Sequence, residues 1–222
     1  MNEQGTGFHI DIYSDVVCPW CYVGKRRLER AQAQVGGDIR TTWRPFQLNP
    51  TMPKEGMDRT TYLEAKFGSL DAFRQLEEQV LAAGAAEHIS FSFEKVARTP
   101  NTFMAHRMIW YAEQQGCQDA VVESLFRGYF TEGADIGSVP VLGQLADRAG
   151  LDVAAVESFL RSEEGTTEVK AEEAAGHRLG IRGVPYFVLN GSLSISGAQP
   201  PDIFASAIRQ AEETVMERKE GA

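Results

Sequence analysis

Cys18-Pro19-Trp20-Cys21 stands where a period-two apolar run gives way to a helical one, and this placement constrains the chain more than any other feature. Phe8, Ile10 and Ile12 alternate with His9, Asp11 and Tyr13, the pattern of a short strand with unequal faces. Beyond the cysteines, Leu28, Ala31 and Val35 recur at three- and four-residue spacing, Pro19 suits a first-turn position and Gly36-Gly37 stops the run. Two cysteines so spaced close into a small disulfide ring or open into a dithiol, and the same spacing supplies half of a zinc site.

A second alternating stretch at 39–46 carries Ile39, Thr41 and Trp43, after which Pro45, Pro50 and Pro53 break regular structure. The opening therefore reads β-α-β. The next hundred residues give one helical pattern after another: Phe73, Leu76 and Val80 with Gly84 near the end, then 103–115 behind a capping Asn101, 119–130, 139–149, 153–161, and 166–179 closed by Gly180. Ile89, Phe91 and Phe93 alternate between them and read as an interrupting strand. After Gly180, strands at 186–189 and 193–195 flank Asn190-Gly191, a strong hairpin signal. Pro201 opens a last helix with Ile203, Phe204, Ile208 and Ala211 on one side, and 217–222 reads as a solvated tail.

With 43% hydrophobic residues in 222, the chain can bury a proper core. A formal charge of -9 argues against nucleic acid or an anionic membrane as the main partner, because a phosphate surface needs a basic face. There is no run of about 18 apolar residues and no signal-like start, so a cytoplasmic protein is expected. In a reducing compartment three cysteines make no disulfide framework, which favours a catalytic or metal role for the close pair. A structural zinc needs four ligands, and a second C-x-x-C or an H-x-x-x-H is lacking, so no metal is expected unless two chains share one.

The order strand, C-P-x-C, helix, strand, helices, Gly183-Val184-Pro185, hairpin and helix resembles the thioredoxin fold, and the helical block within it resembles the DsbA family. The run from Cys18 to Lys25, Asn101 through His106-Arg107, Gly183-Val184-Pro185 and Ser196-Gly197-Ala198-Gln199 are similar to the FrnE-type cytosolic branch of that family. The resemblance implies an α/β chain, a thioredoxin fold with an all-helical domain inserted between its β-α-β and β-β-α halves. Residues 1–55 and 176–222 would form the thioredoxin-like part and 56–175 the insert.

It also implies a thiol:disulfide oxidoreductase whose redox-active element is the Cys18–Cys21 disulfide, with no other cofactor. Cys18 would be the exposed nucleophile, its thiolate favoured by the helix N-terminus, and Cys21 the more buried resolving thiol. Pro185 would be cis and face the cysteines, leaving the Val184 backbone to pair with an extended substrate. Pro19, Trp20, Val184 and Gln199 complete the expected substrate-binding set. Expected partners are thiol or disulfide substrates, protein or small molecule, with glutathione a candidate substrate and a second copy of the chain a candidate partner. The alternative is a glutathione-dependent isomerase or transferase of the 2-hydroxychromene-2-carboxylate isomerase or kappa class, whose members typically carry serine in place of Cys18.

Trp20 supplies no positive charge, so a less depressed thiol pKa than in the strongly oxidising members is expected. Lys25 and Arg26 read as a solvated helix face, His106 as a satisfied core or surface histidine rather than a proton relay, and Cys117 as a lone buried cysteine. Trp43, Phe91, Phe93 and Trp110 read as core rather than a groove, and the 196–199 segment as a plain turn before a ligand-holding one.

Overall fold

The computed structural model describes residues 8–220, with the side chains at 70, 72 and 215–220 outside the description. Its elements begin with β1 (Phe8–Ser14), α1 (Pro19–Val35), β2 (Ile39–Pro45), β3 (Met57–Asp58), α2 (Arg59–Phe67), α3 (Leu70–Ala86) and β4 (Arg98–Thr99). They continue with α4 (Phe103–Gln114), α5 (Gln118–Arg127), α6 (Val139–Asp147), α7 (Val153–Arg161), α8 (Thr166–Arg178), β5 (Tyr186–Leu189), β6 (Leu193–Ser196) and α9 (Pro201–Glu220).

The main sheet has the order β2-β1-β5-β6, with β1 parallel to β2 and antiparallel to β5. Ile12 consequently lies opposite Trp43 on one side and Phe187 on the other, which joins the two ends of the chain through one strand. Ile10, Ile12 and Phe187 are buried in one cluster with Val23 and Leu28 of α1 and Phe204 and Ile208 of α9. The Phe187 and Phe204 rings meet edge to face at 4.7 Å. Burying each such side chain stabilises the fold by roughly 1.5–3 kcal/mol.

A smaller cluster of Tyr13, Phe46 and Ile181 forms separately. Helix α8, which runs unbroken across position 176, packs there because Gly176 lets the Tyr13 ring approach: a Cβ at 176 would lie 2.7 Å from it. At the hairpin, Asn190 and Gly191 take φ of 47° and 66°, the left-handed pair that a two-residue turn of right-handed twist requires. Asn190 also exchanges bonds with β1, its side chain accepting from the His9 N–H and its own N–H donating to the His9 carbonyl, both at 2.8 Å.

Arg107 is buried in the helical block at the end of α7. Its guanidinium donates to the carbonyls of Phe159, Leu160, Ser162 and Glu164 at 2.7–3.1 Å, and so satisfies the unpaired acceptors of that helix terminus. Burial holds its pKa below the ordinary arginine value. Stacking of Tyr22 on Phe126 at 5.0 Å ties α1 to α5.

Several expectations need correction. Residues 88–93 form no strand: His88 turns the chain at φ 58°, and the alternation of Ile89, Phe91 and Phe93 reflects packing, with Phe91 stacked on Phe93 at 5.0 Å and both rings set edgewise against Phe130. The helix expected at 119–130 stops at Arg127 and continues as a π-turn, Gly128–Glu132. A Cβ at Gly128 would come within 2.7 Å of Leu145, so the glycine is set by close packing. Helix α2 and the two-residue β3–β4 ladder were not apparent from periodicity, although Asp58 caps α2 by accepting from the Thr61 N–H at 2.9 Å. Helix α9 extends through Glu220, into the stretch expected as a tail. Among the described residues no helix is long and apolar enough to cross a membrane.

Replacing Arg107 with leucine leaves the buried carbonyls at the end of α7 unpaired. Urea unfolding at pH 7 should show a stability loss of about 3 kcal/mol, and a loss below about 1 kcal/mol would contradict the anchoring role.

Candidate active site

The end of β1 delivers the cysteine pair. The Cys18 N–H donates to the Asp15 carbonyl at 2.9 Å and the Cys21 N–H to the Cys18 carbonyl at 3.0 Å, so the turn and the first helical bond hold Cys18 at the N-cap of α1. Pro19 follows at the first helical position, where its missing N–H has no partner to lose. Both cysteines are free thiols.

Pro185 is brought to this helix across a sequence gap of more than 160 residues. The Val184–Pro185 peptide is cis, and the Cys18 Sγ lies 3.6 Å from the Val184 carbonyl oxygen, to which it donates. The Pro185 ring packs against α1 at Gly24, where a Cβ would come within 3.0 Å of the ring and 3.2 Å of Phe187. A glycine one turn beyond Cys21 is thus what lets the proline segment close on the helix.

Cys18 is 5% exposed and Cys21 1%, so the exposed nucleophile implied by the resemblance is corrected: both sulfurs are covered, and they differ in what covers them. Cys18, Pro19 and Trp20 wall one end of a cavity of about 260 Å³ that extends between α2 and α3, whereas Cys21 faces into the core. Burial first, and the neighbouring Cys18 sulfur second, push the Cys21 thiol well above its usual pKa, with the Ser14 hydroxyl opposing weakly.

A buried polar group backs the pair. Asp15 is fully buried; its Oδ2 accepts from the Leu48 N–H at 2.8 Å and its Oδ1 lies 3.4 Å from Nε2 of His106 on α4. Ser14 Oγ, Asp15 Oδ1 and His106 Nε2 are buried without a hydrogen-bond partner among the described residues. His106 is therefore a core histidine, though an unsatisfied one. Thr102, not Asn101, is the N-cap residue of α4; Asn101 stands one residue earlier, where its side chain accepts from the Phe103 N–H at 2.9 Å and donates to the Met52 carbonyl.

The solvated helix face expected for Lys25 and Arg26 is also corrected. Lys25 is 3% exposed; its Nζ contacts Glu29, lies 3.0 Å from Asp119 and 3.4 Å from Glu123, and these acids outweigh the opposing effect of burial to hold its pKa above the lysine norm. Arg26 is half-buried on Glu29 and Glu123. Tyr22 donates to Glu123 at 2.8 Å, and burial, then Glu123, push its pKa up to about 12. Two cations thus face three carboxylates, and the cluster fastens α1 to α5 instead of lending a positive field to Cys18.

Other expected residues serve the scaffold. The amide of Gln199 donates to the Ser196 carbonyl at 2.9 Å, folding the side chain onto its own turn, which is tied to Pro185 through the Gly197 N–H at 2.8 Å. Trp43 is core, its Nε1 donating to Asp119 at 3.0 Å, and Trp110 stacks on Phe159. Cys117 is half-buried rather than buried, with burial raising its pKa. Phe93 does line the cavity. Sequence reasoning missed Asp15, Gly24 and helix α2, and although it found the helix carrying Phe73 and Val80 it did not place that helix at the cysteines; the glycine in C-P-W-C-Y-V-G was the one available signal.

A four-stranded sheet with paired thiols at a helix N-terminus facing a cis-proline segment defines a thioredoxin-fold thiol protein. Residues 9–209 match the DSBA-like thioredoxin domain, and the chain belongs to that family. It is 30% identical over 203 residues to the uncharacterized protein YwbO of Bacillus subtilis (strain 168), covering 90% of this chain and 95% of that one. The crystal structure of the probable DsbA oxidoreductase SCO1869 from Streptomyces coelicolor superimposes with a TM-score of 0.85 at 34% identity, over 92% of this chain and 89% of the other. The fold is shared more distantly with 2-hydroxychromene-2-carboxylate isomerase, at a TM-score of 0.70 and 17% identity over 94% and 98%.

Alkylation should separate the thiols. Iodoacetamide at pH 7.5, followed by peptide mass spectrometry, is expected to label Cys18 at least tenfold faster than Cys21 in native protein; equal rates would contradict the burial described.

Proposed function

We propose that the protein is a thiol:disulfide oxidoreductase that works by dithiol–disulfide exchange at Cys18 and Cys21. The observation that carries this reading is the placement of two free thiols one helical turn apart, with Cys21 enclosed in the core and Cys18 at both the Val184 carbonyl and the cavity. The Cys18 thiolate attacks one sulfur of a substrate disulfide, forming a mixed disulfide and releasing one substrate thiolate. Cys21 then gives up its proton and attacks the Cys18 sulfur, releasing the second thiolate and leaving the Cys18–Cys21 disulfide. Two electrons pass to the substrate, and the reverse sequence returns them. Holding Cys21 within a turn makes the second step unimolecular, and its raised pKa keeps it a thiol that must lose its proton as it attacks.

The reductase or isomerase direction fits a cytoplasmic location. A couple at about -180 mV facing a glutathione pool at about -250 mV keeps its dithiol in roughly two-hundred-fold excess. The family's alternative, a glutathione-dependent isomerase or transferase, has no use for the second thiol, and Cys21 is the residue that favours exchange.

Insulin-reduction and scrambled-disulfide assays test the proposal. Cys18→Ser should abolish turnover, while Cys21→Ser should stop after one step with a mixed disulfide on Cys18, visible by intact mass. Undiminished activity in Cys18→Ser would refute it, and turnover of a glutathione conjugate by the Cys18→Ser/Cys21→Ser protein would favour the isomerase class.

A further inference from the structure

Cys18 is covered on one side by the Val184 carbonyl, and neither Val184 nor Pro185 lines the cavity on its other side. At about 260 Å³ this space is just below the range that accommodates drug-sized ligands. Leu63, Phe73, Val80 and Phe93 supply apolar wall. The Phe73 and Phe93 rings carry the Arg59 guanidinium at 5.7 and 5.4 Å. Burial raises the pKa of the part-exposed Glu77 carboxyl in the same wall, with Arg59 opposing.

The wall carries polar groups as well: Arg59, Lys66, Glu77 and Gln79, and Thr99, which is 2% exposed, sits beside the Tyr129 hydroxyl, and makes no hydrogen bond of good geometry through its Oγ1 among the described residues. Tyr129, also in the wall, spends its hydroxyl on the Arg98 carbonyl at 3.3 Å. An oxygen placed against Thr99 by a ligand gives that hydroxyl a well-aligned partner. The cavity therefore presents a thiol, an aromatic and branched apolar surface interrupted by Arg59, Lys66, Glu77 and Gln79, and the Thr99 hydroxyl.

We propose that this cavity binds the low-molecular-weight partner of Cys18: a thiol, or the disulfide made from it, with an aromatic-sized apolar body and one hydrogen-bonding oxygen that meets Thr99 Oγ1. The proposal rests on the reading of Cys18 as the nucleophile. In the step concerned, the Cys18 thiolate attacks R–S–S–R, a Cys18–S–S–R bond forms, the R–S–S–R bond breaks, and RS⁻ leaves to take a proton from solvent. Glutathione disulfide carries carboxylates and ammonium groups that Arg59, Lys66 and Glu77 of the same wall can meet, so it is the competitor that the test must separate.

The test uses full-length Cys21→Ser protein, which stops at the mixed disulfide, and follows coupling to Cys18 by intact mass. Three disulfides are compared: bis[2-(4-hydroxyphenyl)ethyl] disulfide, bis(2-hydroxyethyl) disulfide and glutathione disulfide. Each rate is divided by that for N-acetylcysteine, which removes intrinsic reactivity. The aryl disulfide is expected to couple at least tenfold faster than either of the others. Val80→Trp, which fills the cavity, should bring that ratio close to one. Thr99→Val, similar in size and lacking the hydroxyl, should lower it about fivefold. Equal normalised rates for all three disulfides, or a preference unchanged in both variants, would overturn the proposal. Coupling of none of the three would instead refute the assignment of Cys18 as nucleophile, and the cavity proposal with it. If Val80→Trp fails to fold, the disulfide series and Thr99→Val still decide.

Discussion

Strand β1 is the constraint on which the rest depends. Paired with β2 on one edge and β5 on the other, it brings the segment before Pro185 against the first turn of α1, although more than 160 residues intervene. The pairing alone is not enough, because a side chain at position 24 would hold the proline segment away from the helix. Sheet register and one missing Cβ together place the Val184 carbonyl at Cys18. The helical block inserted between these segments then supplies the far wall of the cavity, so the site is shared by parts of the chain that no single element contains.

Electrostatics around the pair follow from the same packing. The cations nearest in sequence, Lys25 and Arg26, are turned towards Glu29, Asp119 and Glu123 and work as a fastening between α1 and α5. What distinguishes the two thiols is burial: Cys21 is enclosed in the core, where forming a thiolate is costly, and Cys18 borders the cavity. Behind them the Asp15–His106 contact joins the cysteine turn to α4, and the Asp15–Leu48 bond joins it to the segment after β2. The turn is thereby held from two directions.

Much of this was legible in the sequence because it rests on local rules. Alternation marked β1, Asn190-Gly191 marked the hairpin through its demand for two left-handed residues, and Pro19 with Gly36 bounded α1. The pair Cys18 and Cys21 declared itself by spacing, whereas the role of Pro185 came only from the resemblance to the thioredoxin fold. What stayed hidden depends on partners distant in the chain. Lys25 reads as solvent-facing until α5 arrives with its acids, and the period-two run at 89–93 reads as a strand until Phe130 shows that ring packing set it. The α2–α3 wall was missed for the same reason: Leu63, Phe73 and Val80 are ordinary apolar helix positions whose meeting with Cys18 is a property of the tertiary fold.

The central claim, that Cys18 and Cys21 form one two-electron couple, is tested most directly by equilibrating the protein in a graded series of reduced and oxidised dithiothreitol, acid-quenching, and counting free thiols by intact mass. The account predicts a single transition with two-electron steepness, in which Cys18 and Cys21 are lost together while Cys117 stays free. A protein that keeps both thiols across the series, or that loses Cys18 to an adduct while Cys21 remains free, would contradict it.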